Sequence, residues 1–109
     1  MGLFDKIFKK EEEMVTIFTI EEGEQTITKE LFDMWKEIWD KDYAYALELY
    51  HMSFVEKIGA VRYSSCQGAI SFLESVPFSC YPEAQKHYDL AKERLEKIKD
   101  DKGNVSSYL

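Results

Sequence analysis

Residues 29–54 read KELFDMWKEIWDKDYAYALELYHMSF, and this stretch decides the fold. Its six aromatics, Phe32, Trp35, Trp39, Tyr43, Tyr50 and Phe54, recur at spacings of 3, 4, 4, 7 and 4. At the helical increment of about 100° per residue they project within an arc of about 120°. Ala46 and Leu47 fill the gap between Tyr43 and Tyr50. A second arc beside the first holds Leu31, Met34, Ile38, Tyr45, Leu49 and Met52. A surface helix needs only about 100° of apolar face, so a helix this apolar must be covered on two sides. The coverage comes from the rest of the chain or from a second chain.

The elements before it read as a β-hairpin. Met14 to Ile20 is β-branched and aromatic, Glu21-Glu22-Gly23-Glu24 is a glycine-containing turn, and Gln25 to Thr28 is a shorter strand. Thr28 suits a helix N-cap and Glu30 suits the first turn. Helical periodicity then continues to Val76, where Pro77 ends it. A helix of that length calls for a break, either near Asp40-Lys41-Asp42 or near Gly59.

Pro82 fits the first position of a last helix, with Ala84, Tyr88, Ala91, Leu95 and Ile98 as its inward seam. Gly103-Asn104 stops it. The expected architecture is mainly α in the α+β class. An N-terminal β-hairpin leads two or three helices, the last pair forming an antiparallel hairpin around Pro77–Tyr81. A short amphipathic segment (residues 1–13), one helical domain with its leading hairpin (14–102) and a flexible tail (103–109) divide the chain.

Composition narrows the function classes. The 109 residues are 45% hydrophobic and 32% charged, sufficient for a globular core. No apolar run spans a bilayer and no signal-peptide pattern is present, which makes the cytoplasm the simplest address. The net charge of −7 is concentrated in residues 11–56, where thirteen acids face three lysines. Such a block argues against direct nucleic-acid binding, which requires Lys and Arg at phosphates. It suits a protein partner.

Candidate chemistry is sparse. Cys66 and Cys80 form neither a redox pair nor a metal-ligand spacing and read as free thiols. Glu48 and His51 have the i, i+3 spacing of di-iron bundles, but the companion ligands are missing and no metal site is expected. Ala60, Ser64 and Gly68 form a small-residue row expected to pack against Tyr88 or its neighbours. No nucleophile elbow or phosphate-cradling loop occurs, so neither an enzyme, a cofactor nor a small-molecule substrate is indicated.

The expected function is therefore noncatalytic: an interaction protein that binds a partner or its own copy. Phe32, Trp35, Trp39, Tyr43, Tyr50 and Phe54, with Glu30, Asp33 and Glu37, are the candidate contacts. Two other readings stand beside it. One is an acidic inhibitor of phage or mobile-element type, imitating nucleic-acid phosphates with Glu11–Glu13, Glu21, Glu22, Glu24, Glu30, Asp33 and Glu37 on one face. The other is a small membrane-surface factor held by Leu3, Phe4, Ile7 and Phe8, beside Lys6, Lys9 and Lys10.

Overall fold

A computed structural model describes residues 13–105. Strands β1 (Met14–Thr19) and β2 (Gly23–Thr28) pair antiparallel, with Met14 opposite Thr28 and Thr19 opposite Gly23. The connecting loop, residues 20–22, closes because Gly23 adopts φ +77°, a left-handed conformation that glycine takes without steric cost. The Glu22 N–H donates to the Thr19 hydroxyl across it at 3.0 Å. Alternation sets the two faces. Ile17 and Thr19 are buried, whereas Met14, Thr16 and Phe18 are exposed.

Helix α1 (Lys29–Val55) follows β2 without a linker. Thr28 is its N-cap, the hydroxyl accepting from the Leu31 N–H at 3.1 Å. The helix runs straight through Asp40-Lys41-Asp42, where the Lys36 ammonium pairs with Asp40 at 2.8 Å, one turn apart. The break falls instead at residues 56–58, just before Gly59. There the Glu56 carbonyl takes an N–H of the Arg62 guanidinium at 2.9 Å, and Glu56 turns extended.

Helix α2 (Gly59–Ser75) returns antiparallel along α1, so that Leu49 meets Gly68 and Tyr45 meets Phe72. Val76 leaves it in an extended conformation and Pro77 prevents its continuation. A 3₁₀ turn (Phe78–Cys80) leads to α3 (Ala84–Lys97), which begins two residues after Pro82, later than the proline suggested. The α2–α3 pair is antiparallel: Tyr88 donates to Glu74 and the Cys66 thiol to the Ala91 carbonyl. A mainly helical domain results, a leading hairpin followed by three helices.

Two buried clusters share Tyr43. At one end Ile17, Trp39 and Val76 join the hairpin to α1 and the end of α2. In the middle Ala46, Leu73 and Ala91 bring the three helices together. Full burial of a side chain such as Leu73 contributes roughly 1.5–3 kcal/mol. The Glu21 N–H, donating to the Glu74 carbonyl at 3.0 Å, fastens the hairpin tip to α2.

At the opposite end, Gly103 (φ +82°) follows a second 3₁₀ turn (Lys99–Asp101). The Asn104 carbonyl accepts from the Ala60 N–H at 2.7 Å. Among the described residues, no helix is long and apolar enough to cross a membrane.

Candidate interaction surface

The aromatic ladder turns mostly toward the chain itself. Trp39 is buried, with Phe32 and Trp35 edge-on to it at 5.7 and 6.0 Å. Tyr43 stacks on Tyr81 at 4.7 Å. Tyr50 is half-buried against Phe54, whose other neighbour is the Arg94 guanidinium 4.0 Å from its ring centroid. That guanidinium also donates to the Ser53 carbonyl at 2.7 Å, joining α3 to α1. Of the six rings only Trp35 and Phe54 are exposed.

The second arc is covered only in part by α2: Tyr45 stays 48% exposed although Phe72 of α2 lies edge-on to it. Leu49 is buried and Met52 half-buried, because α2 lies against them. Beyond the end of α2, Leu31, Met34 and Ile38 stand in solvent, with Met34 61% and Ile38 55% exposed. Trp35 borders this stripe on one side. It also lines a cleft of about 300 Å³ with Ile17, Thr19, Glu22, Gln25, Trp39 and Ser75, between the inner face of the hairpin and α1. The apolar stripe and the cleft adjoin at Trp35, and the cleft wall is mixed, with Thr19, Glu22, Gln25 and Ser75 beside Ile17 and the two tryptophans. The cleft was illegible in the sequence, since it exists only where hairpin, α1 and α2 meet.

The acids flanking this surface differ in their availability. Asp33 pairs with Lys29 at 2.8 Å. Asp40 pairs with Lys36 and accepts from the Tyr81 phenol; these bonds hold its carboxyl below the usual range. Glu30 and Glu37 are exposed and have no ion pair among the described residues. At 100° per residue they lie about 40–60° around α1 from Met34, along one border of the stripe.

The acids do not gather on one face. Glu21, Glu22 and Glu24 are exposed on the hairpin, which lies on the side of α1 carrying Trp39. Glu30, Asp33 and Glu37 project about 120–180° from Trp39. Glu13 is exposed beside the start of α1, its carbonyl accepting from the Lys29 N–H at 2.7 Å. Glu11, Glu12 and the amphipathic residues Leu3, Phe4, Ile7 and Phe8 lie outside the described residues.

Reactive groups are few. Cys66 and Cys80 are free thiols. Burial pushes the Cys66 thiol up to about 11, overcoming the opposing pull of Arg94, so at neutral pH it is protonated. Glu48 and His51 are both exposed, and no three His, Cys, Asp or Glu side chains converge as a metal site among the described residues. His87 Nδ1 is buried with no hydrogen-bond partner among the described residues, its ring edge-on to Tyr43 at 6.1 Å.

The small residues of α2 pack differently from the sequence expectation. Ser64 is exposed, and Gly68 faces Leu49 of α1, where a Cβ would come within 3.0 Å of the leucine methyl. The close approach to α3 is made by Cys66, which lies against the Ala91 backbone. Comparison with protein-family models, curated proteins and solved structures finds no match.

Proposed function

We propose that the protein is noncatalytic and holds a partner protein through the first third of α1. Leu31, Met34, Trp35 and Ile38 are the contact stripe, and the cleft beside Trp35 receives an anchoring side chain. The observation that carries this reading is the exposed apolar stripe edged by Glu30 and Glu37, carboxylates left unpaired among the described residues. Apolar centres rimmed by charge are the usual anatomy of protein interfaces.

The chemistry favours a basic amphipathic helix as the partner. A second copy docked helix-to-helix on the same stripe sets Glu30 and Glu37 against each other in an antiparallel pair. In a parallel pair Glu37 faces Asp42 instead. Like charges flanking a helical seam oppose pairing.

Capture from a lysate of the source organism tests the reading. The wild-type chain is expected to retain a discrete protein at low salt that Met34→Asp and Ile38→Asp lose and Glu48→Lys keeps. Retention unchanged by both stripe substitutions overturns it.

A further inference from the structure

We infer that the anchoring side chain is an arginine of the partner: the cleft beside Trp35 is a guanidinium pocket, with Glu22 as the counter-ion. This rests on the proposed interaction surface. Size, wall chemistry and position carry it.

Size limits the occupant. The cleft encloses about 300 Å³, the small end of the range for ligand pockets, so it takes one side chain rather than a cofactor.

The wall selects a cation. Among the described residues, Glu22 is the only charged side chain lining the cleft, and it is exposed with no ion pair. Gln25 turns its amide nitrogen toward the Glu22 carboxylate at 3.5 Å, which leaves the amide oxygen as an acceptor. The Ser75 hydroxyl donates its proton to the Phe72 carbonyl at 2.9 Å, so toward a ligand it can only accept. These oxygens come from the hairpin loop, β2 and the last residue of α2, and they suit a group that donates in several directions. Trp35 and Trp39, edge-on to each other at 72°, complete the wall, and indole is the ring a cation prefers.

Arginine meets these demands better than lysine. Its planar guanidinium carries five donors in a fixed fork, stacks on aromatic faces and is more weakly hydrated than an ammonium. Its pairs with carboxylates are frequently bidentate.

Position joins the cleft to the stripe. Around α1, Trp35 lies about 40° beyond Leu31, on the border opposite Glu30 and Glu37. A basic helix seated on the stripe therefore meets carboxylates along both flanks, and one long side chain at its edge enters the cleft. Arginine and tryptophan are also the residues in which interface energy concentrates.

The test titrates Nα-acetyl-arginine amide into the full chain at constant ionic strength and follows the indole N–H signals by NMR, with Trp35 assigned from Trp35→Phe. A saturable shift of the Trp35 signal is expected, with a dissociation constant in the millimolar range. The citrulline analogue, alike in shape but uncharged, should bind about tenfold more weakly, and the lysine analogue about threefold more weakly. Glu22→Gln should weaken the arginine amide about tenfold, whereas Glu48→Gln should leave it unchanged. In the lysate capture, Glu22→Gln should release the partner at lower salt than the wild type does.

Other outcomes separate the two readings. No saturable shift, equal binding of arginine and citrulline amides, or binding indifferent to Glu22→Gln overturns the guanidinium pocket. Tighter binding of the lysine analogue overturns the choice of arginine. Partner retention unchanged by Glu22→Gln but lost in Met34→Asp and Ile38→Asp defeats the anchor and leaves the surface intact. Arginine amide binding as expected, with partner retention indifferent to both stripe substitutions, overturns the surface and the anchor together and leaves a site for a free guanidinium compound.

Discussion

Arg62 and Asp101, 39 residues apart in the chain, are joined by two guanidinium N–H bonds of 3.2 and 3.1 Å to one carboxylate oxygen. Both side chains are largely covered, so the pair is shielded from the screening that weakens surface ion pairs. The bond ties the start of α2 to the turn after α3, and the same guanidinium holds the Glu56 carbonyl where α1 ends. Asp101→Ala is expected to cost about 1–3 kcal/mol in urea denaturation, since it strands a partly buried charge. An unchanged midpoint would show the pair to be energetically idle.

Gly59 depends on that same aspartate. A Cβ at Gly59 would lie 2.9 Å from the Asp101 carboxylate oxygen, and Arg62 holds that carboxylate in place. Gly59→Ala should therefore destabilise the wild-type chain, by about 1 kcal/mol. In the Asp101→Ala background the carboxylate contacts are gone and only the Cβ contact at 3.1 Å remains, so the same substitution should cost less than in the wild-type chain. A double-mutant cycle reads the coupling between the two positions; additive effects would refute it.

The two tryptophans should separate structure from binding. Trp39 is core, packed with Ile17 and Val76, so Trp39→Ala is expected to cost about 3–5 kcal/mol and to unfold much of the protein. Met34→Asp and Ile38→Asp, at exposed positions, should leave the melting midpoint within about 0.5 kcal/mol of wild type. Trp35→Ala should act chiefly on binding. Thermal melts of the four variants decide this before any partner is known.

Alkali should weaken the fold through two groups that burial keeps protonated, Cys66 and Tyr81. Cys66 moves from an ordinary 9.0 up to about 11, chiefly through burial. Burial, then the bond to Asp40, raises Tyr81 as well. In each case the folded state holds its proton more tightly than the unfolded state. Their stabilising contribution is complete below the unfolded values and is lost as pH rises from about 9 through the folded values. Urea midpoints are expected to fall across pH 9–11, with less decline in Cys66→Ala. At pH 8 a thiol reagent should modify Cys80 well before Cys66, which is buried and bonded to Ala91.

Much of the fold was legible because local chemistry decides it. Thr28 caps α1, Pro77 ends α2, and the Ala84–Tyr88–Ala91 seam faces inward, all from spacing and residue type. The position of the break was ambiguous in the sequence. Asp40 and Asp42 look like capping residues, yet Asp40 serves Lys36 and Tyr81, a tertiary role that spacing does not reveal.

The ladder itself was legible as a burial signal. Which rings the hairpin and α3 cover depends on contacts between distant segments. Leu31, Met34 and Ile38 belonged to the arc that made two-sided coverage necessary. Their exposure follows from where α2 stops, which no periodicity in α1 encodes.

Helix α1 has 27 residues and α2 has 17. At about 1.5 Å per residue the first outruns the second by about 15 Å, and a hairpin about 20 Å long lies beside that overhang on one side only. The bare stripe is thus a remainder, set by the difference between two element lengths rather than by any residue within it. Inserting whole turns into α2, or deleting them, would shrink or extend the open surface stepwise, and would shift the contacts that Glu74 and Val76 make with the hairpin and Trp39. A family of such chains could tune how much partner it accepts by changing a helix that need never touch the partner.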